Sequence, residues 1–278
     1  MIYCLGPKGS YTEEAAEIFS KIIKDKNIEY CNSIYEVFER VEQGNNNCYG
    51  VVPSENSIEG SVSLTMDLLL EFPVKILGEV DININHCLIG YSKDKIKKIL
   101  AHPQALAQCR KYIKKHDWET ESVLSNSMAV KKVYDMKNEE LGAIASKKAG
   151  KLYNLNILDT NIQDYPNNTT RFILIGKDCE DSNDISFTNN DTTKKSTIII
   201  ELIGNKPGAL YNILKEFNKK NINLTRIESR PSKTKLGSYI FYIDYETPEN
   251  EKELINSLKN YVSNIKYLGS SNIFSKFL

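Results

Sequence analysis

The chain has 278 residues, with 36 Lys and Arg against 36 Asp and Glu and a hydrophobic share of 41%, enough for roughly two domains. The cancelling charges remove any bulk electrostatic argument for a nucleic-acid or polybasic membrane protein, and no apolar run approaches the roughly 18 residues that cross a bilayer. Met1 to Gly6 pass straight from a short apolar strand into a Gly-Pro turn, which is not a secretory signal, so the expected location is the cytoplasm. The six cysteines, Cys4, Cys31, Cys48, Cys87, Cys109 and Cys179, are scattered without CxxC or Cys/His clustering. Reduced thiols are expected rather than a disulfide framework or a metal site.

In chain order, Ile2–Leu5 reads as a strand and Thr12–Lys24 as a helix with Ala15, Ala16, Phe19, Ile22 and Ile23 at helical spacing. A strand at Ile28–Cys31, a helix at Ser33–Gln43 capped by Ser33, and a strand at Cys48–Pro53 follow. A further helix closes at Met66–Leu70, before strands near Val74–Val80, Asn83–Tyr91 and Lys98–Ala101. Pro103 suits the first turn of a helix running to about Lys115. A strand at Trp118–Leu124, a helix at Ser127–Asp135 and strands at Gly142–Ala145 and Arg171–Ile175 complete this part. Such alternation predicts α/β layers around mostly parallel sheets.

Lys177–Lys195 is polar, with Ile185 and Phe187 its only sizeable apolar residues, and reads as a linker or loop. A second unit then begins. Thr197–Ile203, Asn223–Glu228, Ser238–Tyr245 and Ile265–Leu268 read as strands, Pro207–Asn218 and Pro248–Tyr261 as helices. The order β-α-β-β-α-β predicts a ferredoxin-like α+β module.

Three segments could carry chemistry. Gly6-Pro7-Lys8-Gly9-Ser10-Tyr11-Thr12 joins a strand to a helix, where backbone N–H groups favour an anion, although an ordinary β–α turn needs the same residues. It lacks P-loop spacing. Ser54, Asn56 and Ser57 follow another strand, as helix caps or as donors facing a cleft. Pro166–Phe172 delivers Thr170 and Arg171 just before an apolar run. A threonine hydroxyl donates to a leaving oxygen, and an arginine grips a carboxylate with two parallel bonds; a strand-entry threonine beside a surface arginine is the plain alternative. The histidines contribute little: His102 opens a helix, His86 lies in an apolar stretch that suits a core residue, and His116 sits among charges. In the C-terminal unit, Asn205-Lys206-Pro207-Gly208-Ala209-Leu210 is a tight strand-to-helix turn, and Glu228-Ser229-Arg230-Pro231 ends a strand.

Together, GPKGSYTEEA from Gly6, VVPSENSIEGSV from Val51, HCLIG from His86, HPQALAQC from His102, NTTRF from Asn168, PGAL from Pro207 and ESRP from Glu228 resemble the prephenate dehydratase family with a C-terminal ACT regulatory domain. The resemblance covers almost the whole chain. It implies a catalytic region over residues 1–177 built as two lobes like a type II periplasmic binding protein, a linker over 178–195 and an ACT domain over 196–278. The dehydratase motifs start at Gly6, which implies a form without the chorismate mutase domain of bifunctional relatives.

The implied reaction converts prephenate to phenylpyruvate, carbon dioxide and water, with no metal or other cofactor. Carried over residue by residue, the resemblance implies Thr170 and Arg171 as catalytic residues. It implies Asn168, Phe172, Glu55, Asn56, Ser57, Gln108, Ser10, Ser125 and Ser127 as substrate-binding. Asn205, Pro207, Gly208, Ala209, Leu210, Glu228, Ser229 and Arg230 are implied for an allosteric L-phenylalanine site at a subunit interface. A homodimer or homotetramer is the family expectation, with Phe acting on the lobes through the linker and through pairing of ACT domains. Two positions depart from the family pattern: Ala101 stands where many members have Ser, and Asn126 where Thr is usual. Arogenate dehydratase, with the same elimination on the amino-acid analogue, is the nearest rival; an amino-acid sensor without catalysis would lack the Thr170–Arg171 pair.

Overall fold

A computed structural model describes residues 1–25, 27–177, 194–204, 206–233 and 238–273. The catalytic part opens with β1 (Ile2–Leu5), α1 (Tyr11–Ile23), β2 (Ile28–Cys31), α2 (Ile34–Gln43), β3 (Tyr49–Asn56), β4 (Gly60–Ser61), α3 (Ser63–Glu71) and β5 (Val74–Asn83). The chain then crosses into a second lobe: β6 (Cys87–Gly90), β7 (Lys98–Ala101), α4 (Pro103–Gln108), α5 (Arg110–Lys115), β8 (Glu119–Ser122), α6 (Asn126–Met136), β9 (Leu141–Ala145), α7 (Lys147–Leu152) and β10 (Asn156–Thr160). It returns to the first lobe as β11 (Thr169–Lys177). The C-terminal module is β12 (Lys194–Leu202), α8 (Ala209–Lys219), β13 (Leu224–Pro231), β14 (Tyr239–Glu246), α9 (Glu251–Leu258) and β15 (Val262–Ile273).

The predicted βαββαβ order is present, and the sheets are mixed rather than mostly parallel. β1 runs parallel to β2 and β3, but β11 enters between β3 and β5 antiparallel to both. The second lobe has a five-stranded sheet ordered β10-β6-β9-β7-β8, with β6 antiparallel to both neighbours. The return of β11 explains the departure. A strand that comes back from the other lobe enters the first sheet from its far end.

Several predicted boundaries shift for local reasons. The apolar stretch Asn83–Tyr91 divides, because Ile84 donates its N–H to the Asn168 carbonyl (2.7 Å) and His86 to Gln163 Oε1 (3.0 Å) instead of to a sheet neighbour. These residues are one of the two crossings between lobes. The helix after Pro103 breaks at Cys109 (φ −114°, ψ 21°). Asp164 causes the break: its N–H takes the Gln108 carbonyl (2.6 Å) while its carboxylate accepts from the Lys111 N–H (3.1 Å). Short α7 and edge strand β10 carry too little periodicity to be read in advance.

Strand β15 is far longer than the four residues predicted. It runs past its own module to pair parallel with β5 at Asn272↔Gly78 and Ile273↔Glu79. One ten-stranded sheet results, in the order β13-β14-β12-β15-β5-β11-β3-β1-β2, with β4 on β3.

Cores form on both faces. Ala15, Ala16 and Phe19 of α1 cover Ile2, Val51, Val80, Phe172 and Leu174. On the opposite face, Val37, Phe38, Met66 and Leu69 of α2 and α3 share one cluster with Ile199, Ile240, Tyr242 and Leu268 of the C-terminal module. Tyr242 is fully buried and donates its hydroxyl to the Met66 carbonyl (2.7 Å). Side chains of this size contribute about 1.5–3 kcal/mol each on full burial, so the module is docked by a true core. Cys4, Cys31, Cys48, Cys87 and Cys109 are free and buried; burial pushes the Cys4 and Cys109 thiols up to about 12. No helix among the described residues is long and apolar enough to cross a membrane.

Candidate active site

Between the lobes lies a cleft in two connected parts. The wider, about 850 Å³, is lined by the Gly6–Thr12 turn, Tyr30, His102, Gln104, Ser125–Met128 and Ser146. The narrower, about 150 Å³, sits against Thr170, Phe172, Asn56, His86 and Gln108. Tyr11, Thr12, His102, Gln104 and Asn126 line both.

Two helix starts border the wider part. Ser10 caps α1, its hydroxyl accepting from the Glu13 N–H (3.2 Å); Ser125 caps α6 in the same way for Met128 (3.2 Å). Unpaired N–H groups and the positive ends of the helix dipoles therefore border the space, a setting that favours anions. Gly9 makes the close contact between lobes. Its φ is +86°, its carbonyl accepts from Ser146 Oγ (2.8 Å), and a Cβ there would meet Ala149 Cα at 3.1 Å. Lys148 of α7 reaches back to Glu13 (3.1 Å) and Glu17 (2.6 Å) of α1. Burial raises the Glu13 pKa, but bonds from Tyr30, the Gly9 N–H and Lys148 outweigh it and hold this carboxyl below its usual range.

The floor is built by strand register. Asn56 of β3 pairs with Thr170 of β11, after a bulge that lets Ser54 skip the ladder and donate its hydroxyl to the Arg171 carbonyl (3.2 Å). Cross-strand partners present their side chains on one face, and Asn56 Nδ2 donates to Thr170 Oγ1 (2.9 Å) and to Asn168 Oδ1 (2.7 Å). Asn168 Nδ2 donates onward to Gln108 Oε1 (2.9 Å), which also lies 2.9 Å from His86 Nε2. All five side chains are buried, in a chain of amides that leads across the lobes and ends on one hydroxyl.

Arg171 departs from the expected role. Alternation along β11 turns it to the face opposite Thr170, where its Nε and Nη2 form a fork on Asp81 (2.8 and 2.9 Å). Glu79 at 3.5 Å and Glu55 at 3.8 Å complete an acidic surround. The guanidinium is thus engaged by the protein's own carboxylates, and Glu55 shares its side of the sheet. Ser57 is also outside the cleft: it donates to the Asn167 carbonyl (3.0 Å) and accepts from the Thr169 N–H (2.9 Å), clasping the second crossing. Ser10, Asn56, Gln108, Ser125, Ser127, Thr170 and Phe172 do line the cleft, and Asn168 supports it from behind.

Sequence reasoning passed over His86, His102, Tyr11, Thr12 and Gln104 as cleft residues. At the departing position, Asn126 uses its Oδ1 to accept the His102 N–H (2.8 Å), tying the starts of α4 and α6 together. Ala101 is fully buried in β7.

In the C-terminal module Asn205 lies outside the described residues. Pro207–Leu210 open α8, with Gly208 at φ +83°. Along β13, Glu228 and Arg230 turn to the catalytic lobe and Ser229 turns outward. Glu228 accepts from Ser61 Oγ, while Arg230 reaches Asp67 (3.0 Å) and Ser63 Oγ (3.1 Å) at the start of α3.

The architecture is that of a two-lobed protein with a polar cleft between the lobes and a ferredoxin-like module continuing its main sheet. Comparison with known proteins narrows the class: the prephenate dehydratase model matches residues 2–180 and the ACT domain model residues 196–262. The chain belongs to the prephenate dehydratase family. It is 56% identical over 277 residues to the prephenate dehydratase of Methanocaldococcus jannaschii, covering 99% of this chain and 98% of that one. A prephenate dehydratase from Arthrobacter aurescens, solved in complex with L-Phe, superposes with a TM-score of 0.83 at 29% identity, over 98% of this chain and 90% of that one. Arogenate dehydratase 2 of Petunia hybrida is 33% identical, over 95% of this chain and 70% of that protein.

Proposed function

We infer that the interlobe cleft takes prephenate to phenylpyruvate, carbon dioxide and water, under feedback by L-phenylalanine at the ACT domain. The observation that carries the site assignment is the hydrogen bond from Asn56 Nδ2 to Thr170 Oγ1. It occupies an acceptor site of the hydroxyl, so the Thr170 proton is free to point into the cleft. In this reading Thr170 hydrogen-bonds the departing ring hydroxyl as its C–O bond breaks, and the one proton that completes the water molecule is taken up from solvent. The ring carboxylate leaves as carbon dioxide, its electron pair completing the aromatic ring. No strong base is needed, because decarboxylation supplies the electrons and aromatisation the driving force. The starts of α1 and α6, with Ser10, Ser125 and Ser127, hold the carboxylates in place.

Arg171 supports the floor from the other face of β11 and does not grip substrate. Exposed Ile227 on the edge strand β13 and exposed Tyr239 on its neighbour β14 support pairing of two ACT domains, giving a dimer or tetramer with Pro207–Leu210 and Ser229 near the join. The test is Thr170→Ala. Loss of one such donor costs about 2.7–4 kcal/mol in the transition state, roughly 100- to 1,000-fold in turnover. Phenylpyruvate formation from prephenate, with arogenate in parallel, reads it. Near-normal turnover by a folded variant would defeat the assignment.

A further inference from the structure

The amide chain behind Thr170 has a direction, and the direction can be derived atom by atom. Backbone N–H groups only donate, and those of Ile58 and Glu59 point at one atom of Asn56 (3.0 and 3.1 Å), which is therefore its carbonyl oxygen. Its amide nitrogen then faces Asn168 and Thr170. That nitrogen only donates, so Asn168 presents its oxygen to Asn56 and its nitrogen to Gln108. Gln108 must present its oxygen in return. The other end agrees, since Gln108 Nε2 faces the Glu59 carboxylate (3.4 Å), which only accepts. The Gln108 oxygen also meets His86 Nε2 at 2.9 Å, so that nitrogen must carry a proton. His86 is buried, and its Nδ1 has no hydrogen-bond partner among the described residues. A second proton would have no acceptor there.

We propose that His86, as the neutral Nε2–H tautomer, is a positioning residue for the dehydration: its Nε2–H donates to Gln108 Oε1 and holds that amide in the one orientation that completes the Gln108–Asn168–Asn56 chain, which leaves the Thr170 proton free for substrate. The opposite tautomer would set two lone pairs against each other at Gln108. Gln108 would then turn its nitrogen toward the nitrogen of Asn168, and because the Ile58 and Glu59 N–H groups hold Asn56 in place, the mismatch would fall on Asn168, the partner of Asn56 beside Thr170. Burial, which lowers the His86 pKa, favours the neutral ring. The inference rests on the Thr170 reading above.

Two measurements test it. In a long-range proton–nitrogen spectrum of the wild-type protein at pH 7, His86 should show the Nε2–H pattern, assigned among the three histidines by its loss in a variant. An Nδ1–H or doubly protonated pattern would overturn the proposal without any question of folding. In kinetics, His86→Leu should lower kcat about tenfold with KM for prephenate within twofold, and His86→Gln, which keeps an N–H near the same place, should recover most of the loss. Unchanged kcat in His86→Leu, a rise in KM alone, or equal damage in both variants would each reject it. If Thr170→Ala abolishes turnover while His86→Leu retains it, this inference alone fails. If Thr170→Ala keeps turnover, the reading beneath it fails.

Discussion

Lys195, the second residue of β12, places its ammonium 2.7 Å from the carboxylate of Glu79 in β5, and both are buried. The pair joins the regulatory module to the catalytic lobe by charge as well as by strand pairing. Glu79 is also 3.5 Å from Arg171, the neighbour of Thr170, and Lys195 is 3.1 Å from buried Asp244, which binds Arg226 at 3.1 Å. A continuous row of alternating charges therefore runs from the back of the active-site strand into the ACT sheet. Removing one member leaves others buried without partners, which is costly even where the intact pair contributes little. Lys195→Met should destabilise the protein by about 3 kcal/mol, measured by urea unfolding. A variant as stable as the parent would mean that the row is not energetically coupled.

Arg171 separates two roles that adjacency in the motif merges. A carboxylate clamp would raise KM when removed and leave stability alone. A support for the β11–β5 pair does the opposite, because the fork on Asp81 is lost and Asp81 and Glu55 lose their cation, while Glu79 keeps Lys195. Arg171→Lys keeps charge but not the bidentate geometry. The expected result is a loss of about 1.5–3 kcal/mol in stability and a lower kcat, with KM nearly unchanged. A tenfold rise in KM at full stability would restore the direct contact.

Much of this was legible in the sequence, and the limits are physical. The Ser33 cap could be read because capping is local, and the βαββαβ order because its periods change over short windows. The opposite facing of Thr170 and Arg171 was also within reach, since strand alternation separates neighbours. The motif, read as a unit, hid it. His86 was beyond reach, for its meaning comes from Gln108 and Asn168 across two lobe crossings, and a buried histidine in an apolar stretch looks the same with or without them. The continuation of β15 onto β5 was likewise hidden, because pairing over such separation leaves no local pattern.

Regulation has a short path to the site. Glu228 of the ESRP motif accepts from Ser61 Oγ, Ser61 pairs with Glu55 across β4–β3, and the next pair is Gly60 with Asn56, the donor to Thr170. Movement of β13 on binding Phe would reach Asn56 through one side-chain bond and two backbone pairs. Ser61→Ala should therefore leave uninhibited turnover within twofold and reduce the effect of saturating Phe on prephenate affinity at least fivefold, within the usual 1–3 kcal/mol of allosteric coupling. Titrating prephenate with and without Phe reads this directly. Unaltered inhibition would move the coupling to the charge row through Lys195.

The buried histidine also predicts how stability depends on pH. Burial holds the His86 pKa below its ordinary 6.5, the Gln108 bond opposing this only in part. The unfolded chain therefore takes up a proton at a pH where the folded protein does not. Stability from this group is complete above about pH 6.5, falls as pH drops through that value, and levels off once the folded pKa is passed. The slope cannot exceed about 1.4 kcal/mol per pH unit for one proton. Around the ring stand Gln108, the Tyr11 ring at 6.4 Å between centroids and, beyond Gln108, Glu59. All three remain in His86→Gln, as do the other two histidines. Urea midpoints from pH 7.5 to 5.5 should fall less steeply in that variant than in the parent, while the two slopes agree above pH 7. Equal slopes throughout would mean that His86 accepts its second proton as readily folded as unfolded, which the orphaned Nδ1 does not allow.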